Sequence, residues 1–331
     1  MKLVVVGTMV KRFLKWVGLA ALASLLIVPF LVPVETTGTL TKEQAAEAIW
    51  GEQSNWIELA GHEVHYVTAG DPESARLIVL LHGFGASAYS YKEVLQPLSA
   101  MGQVIAYDRA AFGFTERPTN WDGVNPYGAE GQLEVLDELI EKFGKDKRVY
   151  VLGHSAGGSL AASYAQAHPE KLTGLILFAP AVLTAGGAPS WLNWIFDIPQ
   201  LNHLGPLLVS TIATSGLDLL YQSYFDQTKV TQETLDAYTA PLKIAGWEKA
   251  FWEFNKSPRD SKVGEGLGEI NLPTLVIAGD ADTVVQTADS IKVSGLIPDA
   301  KLVLIPKTGH LPNEESPREF ADAVVSFIRD K

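Results

Sequence analysis

Val149-Tyr150-Val151-Leu152-Gly153-His154-Ser155-Ala156-Gly157 is the stretch on which the reading of this chain turns. An apolar run breaks at Gly-x-Ser-x-Gly and continues into Ala161-Ala162-Ser163-Tyr164-Ala165, which spells a strand, a sharp turn and a helix. Glycines two before and two after Ser155 remove Cβ atoms that would clash in a tight turn, leaving the hydroxyl exposed at its tip. A serine presented at a helix N-terminus in this way is built to attack a carbonyl carbon. The pentapeptide alone is a weak signal, because small residues are common; its setting supplies the argument.

Outward from that turn the pattern repeats. Continuous apolar runs at 77–81, 104–107, 149–152, 175–178, 275–278 and 302–305 alternate with helical patterns at 91–99, 131–143, 155–167, 287–296 and 317–329. Apolar runs without polar alternation imply strands covered on both faces, hence a mostly parallel sheet wrapped by helices. Residues 57–59 and 64–67 flank Ala60-Gly61-His62 and read as a hairpin ahead of it. The rhythm stops between 181 and 270, where Gly, Pro, Trp and amphipathic segments take over; so long a bare loop is not expected in a compact domain, and a helical cap after the sixth strand is. Most of its aromatics are expected to pack the cap onto the sheet, with Trp191, Trp194, Tyr224, Trp247 and Phe251 as candidates to line an apolar pocket.

The 331 residues, 47% hydrophobic and 19% charged, describe a globular chain with one large α/β core at 56–180 and 271–331 and the cap at 181–270. A net charge of −12 argues against nucleic acid as a partner, and the absence of cysteine excludes disulfides and thiolate sites. Lys11, Arg12 and Lys15 precede an uncharged run from 16 to 34, long enough to cross a bilayer. The only Ala-x-Ala of the first forty residues, at 21–23, lies inside that run, which favours an uncleaved anchor over a cleaved signal peptide. Residues 1–34 are thus read as a cytoplasmic tail and membrane helix, with the main domain extracytoplasmic; a secreted or periplasmic form after cleavage is the alternative. Met9 is a candidate start, and 35–55 reads as a linker carrying a short helix at 42–49.

A serine hydroxyl needs a base within reach and a carboxylate to hold that base in the right tautomer. Of seven histidines, His62, His65, His168 and His203 suit surface or structural roles, and His154 should point away from its neighbour. His310 follows the run 302–305 through Pro306-Lys307-Thr308-Gly309, at the strand edge where open parallel sheets gather their sites. Asp280 and Asp282 follow the run 275–278 at the same edge, giving the chain order serine, acid, histidine.

At this point the chain resembles the α/β-hydrolase superfamily, in its capped branch of esterases, carbon–carbon bond hydrolases and epoxide or haloalkane hydrolases, from about residue 56 onward. The resemblance implies Asp282 as the acid rather than Asp280, and the backbone N–H groups of Phe84, in His82-Gly83-Phe84-Gly85, and of Ala156 as oxyanion donors. It also matches Tyr107-Asp108-Arg109-Ala110-Ala111-Phe112-Gly113 to a largely structural family segment, loosely, because Arg109 directly follows Asp108 and Ala111 stands where glycine is common. Epoxide and haloalkane hydrolases of this fold carry an aspartate at the elbow; Ser155 points instead to carboxylic esters, expected to be apolar from the aromatic cap and the tether. Carbon–carbon bond hydrolase, thioesterase, lactonase and cofactor-free peroxidase activities share the triad, and a ligand-binding receptor on the same fold is the non-enzymatic alternative. No His or carboxylate cluster has ligand spacing and no glycine loop precedes Lys-Ser or Lys-Thr, so no metal or cofactor is expected. The expected partners are a small-molecule ester and the membrane; no obligate protein partner is inferred.

Overall fold

The computed structural model describes residues 2–34, 37–183, 193–196, 198–210, 212–257 and 262–330. Helix α1 (Lys2–Leu31) and helix α2 (Lys42–Trp50) precede the sheet. The start of α2 is written in its sequence: Thr41 accepts from the Gln44 backbone and the Gln44 side chain returns the bond, a reciprocal cap. Strands β1 (Asn55–Leu59) and β2 (His62–Ala69) form the expected hairpin, turning on Ala60 and Gly61, both at positive φ.

The core then alternates: β3 (Arg76–Leu81), α3 (Lys92–Ser99), β4 (Gln103–Tyr107), α4 (Ala129–Phe143), β5 (Arg148–His154), α5 (Ser155–Ala167) and β6 (Gly174–Phe178). After the cap helices α6 (Asn193–Phe196), α7 (Pro199–Ser210), α8 (Ile212–Gln222), α9 (Gln232–Thr239) and α10 (Trp247–Lys256), it resumes with β7 (Thr274–Gly279), α11 (Thr287–Leu296), β8 (Lys301–Ile305), α12 (Pro312–Glu315) and α13 (Pro317–Arg329). One eight-stranded sheet results, in the order β1-β2-β4-β3-β5-β6-β7-β8, antiparallel only where β2 meets β1 and β4.

Why the strands read as unbroken apolar runs is visible in the pleat. Ile78, Leu80, Val104, Ala106, Tyr150, Leu152, Ile176 and Phe178 face one layer, with α3 and α13. Their neighbours Leu77, Val79, Leu81, Ile105, Tyr107, Val149, Val151, Leu175 and Leu177 face the other, with α4, α5 and α11. Each fully buried aliphatic side chain contributes on the order of 2 kcal/mol of transfer free energy. Helix α13 buries Phe320, Ala321, Val324, Phe327 and Ile328, a helical stripe against the sheet.

Within α1, residues Lys11–Leu31 are long and apolar enough to cross a membrane, with a mean hydropathy of 2.0 and none of the stretch buried against the rest of the chain. Residues 37–40, read from sequence as part of a linker, are not a free tether. The backbone N–H of Thr37 and its hydroxyl donate to Glu248 Oε1 at 2.5 and 2.6 Å, and Leu40 pairs with Ile244 in a parallel bridge. A side chain at Gly38 would collide with the Ile244 carbonyl, so glycine is required there for this close approach.

Candidate active site

The positive φ of the turn falls on the serine itself, not on its glycines: Ser155 sits at φ +48, where a non-glycine residue is strained. The glycines serve close packing. A Cβ on Gly157 would meet the carbonyl oxygens of Leu81 and His82, and one on Gly153 would press on Ala161, 2.8 Å away. Small residues therefore let α5 start directly over the ends of β3 and β5, placing Ser155 at the helix N-terminus.

His310 lies on the loop after β8, and its Nδ1 donates to Asp282 Oδ2 at 2.7 Å, with both side chains buried. Asp282 Oδ1 accepts from the backbone N–H groups of Val284 and Val285 at 2.9 and 3.0 Å, which fixes the carboxylate. Asp280, two residues earlier, turns elsewhere: its Oδ1 accepts from the backbone of Lys307 at 2.7 Å, fastening the loop after β7 to the loop that carries His310. Ser155 and His310 line one cavity of about 210 Å³ together with His154 and Phe84.

The histidine before the serine is buried and stacked on Phe178, ring centroids 4.6 Å apart. Its Nε2 donates to the His310 carbonyl at 3.0 Å; burial, then the nearby His310, holds it well below the ordinary histidine range, so it is neutral.

The loop after β3 is held by Arg109. Gly83 O accepts from Arg109 Nη2 at 3.0 Å and from His82 Nδ1 at 2.8 Å, while His82 Nε2 accepts the Arg109 backbone N–H at 3.0 Å. Burial and the Arg109 charge lower His82 to about 3, consistent with one neutral tautomer. Because the Gly83–Phe84 peptide is planar and trans, pinning its oxygen aims the Phe84 N–H to the opposite side. Phe84 is on the cavity wall. A Cβ at Gly83 would stand 2.6 Å from His154 Nδ1, so this loop too approaches the elbow as closely as glycine permits. Asp108 is structural: it accepts from the backbones of Ala88 and Phe114 and from His65 Nδ1 at 2.8 Å.

Of the five aromatic pocket candidates, Trp247 and Phe251 line the cavity. Tyr224 does not; its hydroxyl is captured by Glu314 at 2.8 Å and its ring packs with Leu220 and Leu311. Trp194 is 62% exposed on the cap's outer surface, and Trp191 falls outside the described residues. Much of the remaining wall comes from Gly216, Leu217, Leu219 and Leu220 of α8, with Tyr238, Leu242, Val284 and Leu311.

Two residues that the sequence did not single out join cap to core. Glu314 is half-buried and accepts from Ser90 Oγ, Tyr224 Oη and Tyr238 Oη at 2.6, 2.8 and 2.5 Å; desolvation pushes its carboxyl above the usual range despite these donors. Glu315 accepts from the backbones of Gly309, Phe225 and Asp226, and the His310 N–H donates to Ser223 O at 2.7 Å. The cap turn 223–226 and the His310 loop are thereby one packed unit. The signal available was a pair of acids just after His310, with nothing local to name their partners.

Residues 76–317 match the family model described as alpha/beta hydrolase fold, and the chain belongs to that family. It is 24% identical over 331 residues to Lipase 3 of Moraxella sp. (strain TA144), across 95% of this chain and 98% of the lipase. It is 28% identical to the 2-hydroxy-6-oxo-6-(2'-aminophenyl)hexa-2,4-dienoic acid hydrolase of Metapseudomonas resinovorans, across 82% of this chain and 90% of that hydrolase. Among solved structures, a membrane phospholipase A described as a bacterial virulence factor superposes with a TM-score of 0.65 at 23% identity, covering 97% of this chain and all of that one, which speaks to the fold.

Proposed function

We propose that the protein is a membrane-tethered serine hydrolase that cleaves apolar carboxylic esters, with Ser155 as nucleophile, His310 as base and Asp282 as its orienting acid. The observation that carries this reading is the Asp282–His310 pair at 2.7 Å opening onto the same cavity as a strained serine at the first position of α5. With Nδ1–H committed to Asp282, the imidazole keeps Nε2 as the basic atom for the Ser155 proton. Attack on the ester carbonyl creates an oxyanion for the amides of Phe84 and Ala156, and His310 then protonates the departing alcohol. Water, activated by the same imidazole, releases the acid.

The cavity wall favours esters over the acidic substrates in the names of the carbon–carbon bond hydrolase relatives. Its described lining is Phe, Trp, Leu, Val, Ala and Gly, with Ser, Thr, Tyr and His as the polar members and no Lys or Arg. A carboxylate there would meet no cation. The uncharged run of α1 supports a tether, and the chain order of Lys11, Arg12 and Lys15 before it supports an extracytoplasmic catalytic domain. A fluorophosphonate probe tests the chemistry: native protein should label, and Ser155→Ala should not. A folded native protein that resists the probe would instead indicate a binding role.

A further inference from the structure

The tether does more than fix location. We infer that the cap helices α6 to α8 sit in the outer leaflet of the same bilayer that α1 crosses, so that substrate reaches the cavity sideways, from lipid. This deepens the proposed function and rests on its anchor reading.

Three observations converge. The first is depth. The uncharged run 16–34 holds 19 residues, at least about 28 Å at 1.5 Å per residue, close to the ~30 Å of a hydrocarbon core. Helix α7 docks on the last turns of α1 and on Val32 just after it. Gln200 Nε2 donates to the Leu26 carbonyl at 3.2 Å, the Phe30 and His203 rings lie 5.5 Å apart, and His203 Nε2 donates to Val32 O at 3.0 Å. Leu26 precedes the end of α1 at Leu31 by five residues and the end of the uncharged run by eight, which puts the Leu26 carbonyl at least about 7 Å below the lipid boundary.

The second is composition. From residue 172 to 228 the chain has no Lys, Arg or Glu, and Asp197, Asp218 and Asp226 are its only charges. Trp194 and Leu208 are 62% and 59% exposed on this part of the cap, a cost in water that a lipid surface removes. The tryptophan suits an interfacial position.

The third is the cavity. Gly216, Leu217, Leu219 and Leu220 of α8 form one of its walls, and Leu219 is also 37% exposed, so a single helix separates the cavity from the outside. The geometry is rigid: a Cβ on Gly205 would run into the Trp252 ring, locking α7 on α10, while Trp247 Nε1 donates to Thr37 Oγ1 at 3.0 Å just after α1. Cavity, cap and span are held in one register.

Because the chain has no cysteine, single labels can be placed without background. Full-length protein carrying a fluorophore at Trp194→Cys, Leu208→Cys, Leu19→Cys (mid-span) or Lys145→Cys (the far edge of the sheet) is reconstituted in phosphatidylcholine vesicles with lipids spin-labelled near the headgroup or deep in the acyl chain. Positions 194 and 208 should be quenched by the shallow label several-fold more than 145, and 19 by the deep one. Quenching at 194 and 208 no greater than at 145, with 19 still quenched, would overturn the inference and leave the anchor standing; this is also the result if a second copy of the chain covers the face. Loss of quenching at 19 as well would overturn both. Neither outcome depends on catalysis. For the route, Leu208→Glu should lower turnover of a long-chain ester carried in vesicles several-fold while sparing a soluble short-chain ester, and equal effects on both would refute lateral access.

Discussion

Asp282→Asn is the substitution on which the proposed chemistry stands most exposed. The change is nearly isosteric, so its effect must come from hydrogen-bond direction. Two backbone N–H groups, of Val284 and Val285, converge on Asp282 Oδ1, and only an oxygen can satisfy them. The asparagine amide must therefore keep its oxygen there and turn its NH2 toward His310. Two donors cannot share the 2.7 Å gap that Asp282 Oδ2 and His310 Nδ1 occupy now. The imidazole relieves the conflict by moving its proton to Nε2, which leaves the atom that the proposed mechanism assigns to the Ser155 proton unable to accept one. A fall in kcat of about 10⁴ follows, equivalent to about 5.5 kcal/mol of barrier, with KM for a soluble p-nitrophenyl ester little changed. Asp280→Asn is the control. Its contact is an acceptor bond to the Lys307 backbone, which an amide oxygen can replace, so the loss should stay within about tenfold. Steady-state kinetics on both variants, with melting curves to confirm folding, decide the matter. A folded Asp282→Asn enzyme within tenfold of wild type, or a larger loss at Asp280, would refute the tautomer argument and the choice of acid together.

Arg109→Lys keeps the charge but loses the reach that holds the Gly83 carbonyl; kcat should drop about tenfold to a hundredfold with KM nearly constant, because the misaligned Phe84 amide matters most once the oxyanion forms. A change confined to KM would show that the arginine does not aim that amide. Acid should destabilise the fold early. His82 and His154 are held neutral below the histidine value of 6.5, His82 down to about 3, so between those pH values the unfolded chain takes up protons that the folded chain refuses. Stability then falls as pH falls, by up to about 1.4 kcal/mol per pH unit for each histidine. Thermal melts from pH 7 to pH 4.5 should show a steadily lower Tm, and a flat profile would contradict the burial of these rings.

What could be read from the sequence depended on how far apart the interacting residues stand. The strand β5, the turn at Ser155 and the start of α5 are decided within about a dozen neighbouring residues, and the apolar runs of the sheet are decided by a pleat that buries both faces. The bounds of α11 and α13 follow from local pattern in the same way. The cap wall is a different kind of object. Tyr224 looked like a pocket aromatic because its ring is large and lies in an apolar segment, yet its position is set by Glu314, ninety residues away along the chain. A carboxylate partly withdrawn from water needs donors, and Glu314 takes the Tyr224 hydroxyl as one of three. The same logic hid the docking of 37–40: Thr37 and Glu248 are 211 residues apart, and neither is unusual until the other is present. The leucines of α8 became the wall instead, since they are what remains once Tyr224 is turned away. The packing of the cavity wall therefore depends in part on polar contacts made outside the cavity. Glu314→Gln, which leaves every lining residue intact, is the change that should release Tyr224 and Tyr238 and reshape the cavity without touching the serine.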